Sequence, residues 1–175
     1  NYGGAIIAIS VLCYTIQLYC DFSGCMDIVR GSGELFGIII PKNFERPFFS
    51  GSVSEFWRRW HMTLGAWFKD YVFYSVSLSK PFVKLSKKTR EHMNTFFATF
   101  VPMSIAMFIV WFGTGIWHGA SWNFVFWGLY YGMFIFFEML IGKKRMKKMP
   151  VPLAHIYTNL VIFIGFGIFY FENLG

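Results

Sequence analysis

His118 is the residue in this chain best placed to do chemistry. It sits inside a stretch from Glu91 to Glu138 with no formal charge between those two carboxylates. Ionisable residues at membrane depth are costly and usually face a bundle interior or a cavity. Gly115, Gly119, Ala120 and Ser121 lie within a few positions, leaving room for close backbone approach or a substrate. Trp117 and Trp122 flank it and are expected to wall a pocket. A lone histidine in a low-dielectric pocket suits general-base work, taking the proton of an alcohol as that alcohol attacks an activated acyl carbon. Such a pocket favours the neutral imidazole, the form a base needs. An interfacial histidine hydrogen-bonded to a loop carbonyl is the equally open alternative.

His61 is the second candidate. It follows Arg58, Arg59 and Trp60 at the edge of an apolar stripe, where it could enter a pocket from the membrane surface or simply sit at the interface. Arg58 and Arg59 could hold phosphate, a lipid head group or a carboxylate, or could form an ordinary solvated face. Asp21, at the end of an apolar segment, is expected to pair with an arginine. His92 and His155 read as structural. The chain has no H-E-x-x-H, no paired-cysteine motif and no phosphate-binding glycine loop, so no metal site is expected. The chain has no G-x-S-x-G pattern, which argues against a nucleophile-elbow hydrolase. Cys13, Cys20 and Cys25 show no disulfide framework, and Cys13 and Cys20 read as small buried apolar residues.

The elements that must position these residues are membrane-like. Of 175 residues, 55% are hydrophobic and 14% charged, against roughly 25% charged in a soluble domain. The uncharged stretch suits two spans of about 20 residues joined by a turn. Thr95 to Trp117 reads as one span, with Pro102 a kink point, and Phe124 to Ile141 as the next. Val151 to Phe171 reads as a third. Gly4 to Cys20 is a further apolar segment, ended by Asp21-Phe22-Ser23-Gly24. Met26 to Ile40 carries Asp27, Arg30, Glu34 and three glycines, too polar for a lipid-facing span, and is expected to be buried, broken or re-entrant. Pro41 to Gly51 reads as a loop.

Ser52 and Glu55 then form a capping box. Val53, Phe56, Trp57, Trp60, Leu64, Trp67 and Phe68 follow at helical spacing, which predicts one amphipathic helix at an interface. Pro81 to His92 reads as a basic connection and Gly142 to Pro150 as a second basic loop. The net charge of +7 is concentrated in these two runs. They abut apolar stretches, so the positive-inside rule explains them better than nucleic-acid binding does. Two spans separate the loops, placing both on the cytoplasmic side and the His118 turn in the membrane or toward the outside. Anionic lipid is a compatible partner of the basic runs. The predicted fold class is all-α: a polytopic transmembrane helical bundle with an amphipathic interfacial or re-entrant helix. The chain starts at Asn1 in an apolar run and stops just after another, so both ends read as cut from something longer.

Four blocks resemble signatures of the bacterial membrane-bound O-acyltransferases. They are Tyr14-Thr15-Ile16-Gln17-Leu18-Tyr19-Cys20-Asp21-Phe22-Ser23-Gly24, Pro41-Lys42-Asn43-Phe44-Glu45-Arg46-Pro47-Phe48, Glu55-Phe56-Trp57-Arg58-Arg59-Trp60-His61-Met62-Thr63-Leu64 with its continuation through Asp70-Tyr71, and Trp117-His118-Gly119-Ala120-Ser121-Trp122. They come in the family's order. Phe171-Glu172-Asn173-Leu174 is similar to a short motif after the family's next span.

The resemblance implies a many-helix fold with a funnel or tunnel, of which residues 1–175 would be a central to C-terminal part truncated at both ends. It implies His118 as the catalytic histidine and His61 as a supporting one, in a multi-pass protein of the bacterial plasma membrane. An acyl thioester, acetyl-CoA or an acyl-carrier protein, would be the co-substrate, with no tightly bound cofactor. A cell-surface polysaccharide would be the acceptor, reached directly or through an extracytoplasmic partner acyltransferase. Gln17 with Tyr19, and the Ala-Ser-Trp-Asn after His118-Gly119, favour the branch of the alginate O-acetylases. The longer basic stretch from Phe73 to Lys88 is nearer the branch that moves D-alanine onto teichoic acids. A transporter or scaffold subunit, in which the histidines line a passage and no bond changes, is the reading from another class.

Overall fold

The computed structural model describes residues 3–171. Among these residues the chain forms helices joined by short connections, with no strand, in agreement with the predicted all-α polytopic class. Helix α1 spans Gly4–Leu35. A loop containing a single 3-10 turn, Pro47–Phe49, leads into two short helices, α2 (Val53–Arg59) and α3 (Met62–Trp67). A π-helical turn, Phe68–Phe73, joins α3 to α4 (Tyr74–Ser77). Helix α5 is Lys80–His92, α6 is Thr95–His118 and α7 is Trp122–Ile141. One helical turn, α8 (Lys143–Met146), precedes α9 (Val151–Tyr170). Four helices, α1, α6, α7 and α9, are long and apolar enough to cross a membrane.

Helices α6 and α7 form an antiparallel hairpin. Phe100 faces Phe136 at one end, with ring centroids 4.9 Å apart, and Gly115 meets the backbone of Phe124 at the other. The approach is close because the contact residues are small. A methyl group on Gly115 would lie 2.6 Å from the Phe124 carbonyl oxygen, and one on Gly128 would collide with the Trp111 carbonyl. Small residues at helix contacts let backbones approach where lipid supplies no hydrophobic drive. Helix α9 completes the layer. Tyr131 and Tyr130 of α7 donate to the carbonyls of Ile162 and Val161 at 2.9 and 3.1 Å, so buried phenols find acceptors. Gly165 leaves the space that the Tyr131 ring occupies. Helix α1 packs against α9, with Tyr14 beside Tyr170 at 4.7 Å.

The hairpin puts both basic segments at one end and His118 at the other. Helix α2 starts at the basic end and runs along α7 and α9 toward His118. Its first residues meet Glu138, Trp57 packs edge-on to Trp127 and Tyr131, and Phe56 and Trp60 pack on Phe166. Val53, Phe56 and Trp60 are buried in the same core as Trp127, Tyr131 and Phe166.

Several sequence expectations change here. The stretch Val53 to Phe68 is not one continuous surface helix. It breaks at Trp60-His61, where His61 takes left-handed angles (φ 47°, ψ 53°), and Val53, Phe56, Trp60 and Phe68 of its apolar face are buried while Trp67 stays exposed. Met26 to Ile40 is not a separate or broken segment as far as Leu35, because α1 runs through Asp21-Phe22-Ser23-Gly24 unbroken. Asp27, Arg30 and Glu34 sit on its surface, with Asp27 and Arg30 paired at 3.6 Å. Asp21 is exposed, and among the described residues it forms no ion pair. The three cysteines are exposed, not buried. The basic connection Pro81 to His92 is a helix, with Pro81 in its first turn, where a missing N–H is harmless. Of the block Phe171-Glu172-Asn173-Leu174, residues 172–174 lie outside the described residues.

Candidate active site

His118 is the last residue of α6. Gly119 ends the helix at φ 152°, and a methyl group there would lie 2.7 Å from the Phe124 ring. Glycine is required on both counts. Ser121 then starts α7 with extended angles. The three-residue turn leaves His118 half-buried, facing back over the hairpin. Its imidazole sits among aromatic rings: Trp127 at 4.8 Å, Phe169 at 5.2 Å and Phe124 at 6.2 Å, by centroids. Trp127 comes from the second turn of α7 and Phe169 from the end of α9, so three helices build this cage.

Of the two walls expected from sequence, Trp117 lies beside His118 and Trp122 does not. Trp122 is 73% exposed and lies beside Phe126, and Trp117 is 53% exposed. The Trp117 ring lies 4.9 Å from His118 and 6.4 Å from His61, so the two histidines share one indole neighbour. Phe22 of α1 stands edge-on to His61 at 4.6 Å. The structure thus brings together the two candidate histidines, supplied by segments far apart in sequence.

His61 is held from the loop before α2. Its Nδ1 lies 3.2 Å from Asn43 Oδ1, which also accepts the Thr63 backbone N–H at 3.0 Å and the Thr63 hydroxyl at 2.8 Å. The backbones are tied as well, Met62 N–H donating to the Asn43 carbonyl and Glu45 N–H to the Arg59 carbonyl, each at 3.0 Å. Burial holds the His61 imidazole below the ordinary histidine pKa of 6.5, because an apolar setting disfavours the charged ring. A polar cavity of about 110 Å³ reaches Asn43, lined also by Tyr19, Asp27, Arg30 and Lys42.

The remaining sequence candidates fall elsewhere. Arg59 is engaged by Glu55 at 2.6 Å, and Arg58 is exposed. The capping box forms in altered shape: Ser52 Oγ accepts the Glu55 N–H at 3.1 Å, while the Glu55 carboxylate takes the Gly51 N–H at 3.0 Å. His155 binds the Ser50 carbonyl through Nδ1 at 3.1 Å, the structural part expected of it. His92 lies exposed near the end of α5.

Glu138 was not singled out from sequence. Its buried carboxylate accepts the Val53 N–H at 2.6 Å, the Ser54 N–H at 2.9 Å and the Ser54 hydroxyl at 2.6 Å, with Tyr157 at 3.3 Å. It satisfies the orphan donors at the start of α2 and opposes that helix's positive end. It therefore fixes the start of the segment that carries His61.

A sequence profile of the membrane-bound O-acyltransferase family (MBOAT) matches residues 2–174. The chain is 34% identical to the probable alginate O-acetylase of Azotobacter vinelandii over 166 residues, covering 95% of this chain and 30% of that protein. It is 32% identical to the peptidoglycan O-acetyltransferase of Helicobacter pylori, over 93% of this chain and 28% of the relative. It is also 32% identical to the teichoic acid D-alanyltransferase of Bacillus subtilis, over 89% of this chain and 39% of the relative. The chain thus spans between about a quarter and two fifths of the length of these relatives.

Proposed function

Because the chain belongs to the membrane-bound O-acyltransferase family, we propose that it carries the histidine centre of an enzyme moving an acyl group to hydroxyls of a cell-surface polysaccharide. His118 is the general base. It takes the proton of an acceptor hydroxyl while that oxygen bonds to the carbonyl carbon of an acyl thioester. The C–S bond then breaks, and the thiolate leaves as a thiol with the proton held by the imidazole. One O–H and one thioester become one ester and one S–H, so no other reactant is needed. His61, which shares Trp117 as a neighbour, assists by orienting or relaying the proton.

The observation that carries this reading is the convergence of His118 and His61 on Trp117 at one end of the bundle. An aromatic lining limits water at the reacting centre, which favours acyl transfer over hydrolysis of the thioester. The donor, acetyl-CoA or an acyl-carrier protein, would be used from the cytoplasmic side of a multi-pass protein in the bacterial plasma membrane. The basic segments at the opposite end from His118 suit that orientation. Acetyl is the favoured group, supported by the alginate and peptidoglycan O-acetylating relatives. D-alanyl transfer is the second reading, favoured by the teichoic acid relative and by the basic helix α5. An extracytoplasmic acyltransferase is the expected partner if the acyl group is handed on.

The group transferred is read by mild alkaline release from surface glycans of cells with and without the full-length protein. Acetate that depends on the protein supports the first reading, and D-alanine the second. No protein-dependent release would contradict both.

A further inference from the structure

A neutral imidazole carries one proton, on Nδ1 or on Nε2, and which one decides which nitrogen can accept. For His61 the surroundings settle the choice. Its Nδ1 lies 3.2 Å from Asn43 Oδ1. That amide atom is identified by a second contact, since it lies 3.0 Å from the Thr63 backbone nitrogen. A backbone N–H only donates, so an amide nitrogen at that place would set donor against donor. The atom is the carbonyl oxygen, and the Thr63 hydroxyl at 2.8 Å donates to it too. A carbonyl oxygen only accepts. The contact therefore favours the proton on His61 Nδ1 and the lone pair on Nε2.

The same residue holds the backbone. Asn43 is only 4% exposed, and its carbonyl takes the Met62 N–H at 3.0 Å. These bonds bracket His61, whose left-handed angles are strained for a non-glycine residue and persist only where the surroundings enforce them. The break they enforce ends α2 and turns the imidazole beside Phe22 and Trp117. An unbroken helix would carry residue 61 past that position.

We propose that Asn43 is a positioning residue, holding His61 as the Nδ1–H tautomer with Nε2 free to accept a proton at the acyl-transfer site. This rests on the acyltransferase reading above. Asn43 touches no reacting atom; it acts through His61.

The test uses the full-length protein in lipid bilayers, with ring-nitrogen NMR of labelled histidine and steady-state acyl transfer. The His61 signals are those lost in His61→Ala. The expected spectrum shows a protonated Nδ1 and a bare Nε2. Asn43→Leu is expected to lower kcat by about 100-fold with little change in KM, the scale of a misplaced group. Asn43→Asp, which keeps the acceptor, is expected to recover most of that loss. A wild-type proton on Nε2 would overturn the proposal. So would Asn43→Leu at wild-type kcat while His61→Ala is inactive, or Asn43→Asp as inactive as Asn43→Leu. Full activity of His61→Ala would instead sink the catalytic reading of His61, and the ring spectrum would still decide the tautomer.

Discussion

The Glu138 carboxylate binds Ser54 twice, through its backbone N–H at 2.9 Å and its hydroxyl at 2.6 Å. This joins the last turn of α7 to the first turn of α2, and through α2 it sets the position of His61. Glu138→Ala leaves the Val53 and Ser54 donors buried without an acceptor. Each orphaned group costs about 1–3 kcal/mol, so the full-length variant should unfold at clearly lower temperature in detergent. Glu138→Gln keeps one acceptor oxygen and should fall between. Wild-type thermal stability of Glu138→Ala would refute the anchoring role.

Gly119 tests the turn that sets His118. Its φ of 152° is open to glycine, and an added methyl group meets the Phe124 ring at 2.7 Å. Strain of about 1–3 kcal/mol, if it moves His118, corresponds to roughly a tenfold or greater loss of acyl transfer. Gly119→Ala should therefore reach the membrane at normal levels and turn over slowly. Normal turnover would mean that the turn does not control the site.

Between α7 and α9, the phenol of Tyr131 and the bare face of Gly165 are two halves of one contact. Tyr131→Phe removes one hydrogen bond and should cost about 1 kcal/mol. Gly165→Leu overpacks the ring and should cost about 1–3 kcal/mol or more. Melting temperatures of the two variants should fall in that order, and the reverse order would contradict the packing described.

Acid should silence the enzyme late. A protonated imidazole cannot accept a proton, so activity is lost as pH falls through the pKa of the histidine concerned. Burial holds His61 below 6.5, so the acidic limb due to His61 should have its midpoint below 6.5. Asn43→Asp places a carboxylate beside the ring, which favours the imidazolium, and should move that limb to higher pH. An unmoved limb would show that His61 does not govern it.

Much of the bundle was legible because long apolar runs have few alternatives. Helices α6, α7 and α9 begin and end within two residues of the apolar limits. The continuity of α1 was not legible. Asp27, Arg30 and Glu34 read as a break, yet charges on an exposed face do not stop a helix, and Gly31 and Gly33 only weaken one. The break at His61 was hidden for the opposite reason. Helical spacing of aromatic residues persists across α2 and α3, and no residue type announces a left-handed histidine.

The site was half legible. His118 and His61 could be named from the cost of burying an imidazole and from motif resemblance. Trp117 was expected beside His118, but its approach to His61 was not visible in the sequence. Trp127, Phe169 and Asn43 reach the site from separate segments, and Asn43 read only as part of a loop. Glu138 marked the end of an uncharged stretch, which was the available hint that a lone carboxylate there needs buried donors.

The most direct test of the account is acylation of surface polysaccharide in cells carrying full-length protein with His118→Ala at unchanged membrane levels. The account predicts acyl ester content at the background of cells lacking the protein. Normal ester content with the variant present would show that His118 is structural and that the proposed mechanism is wrong.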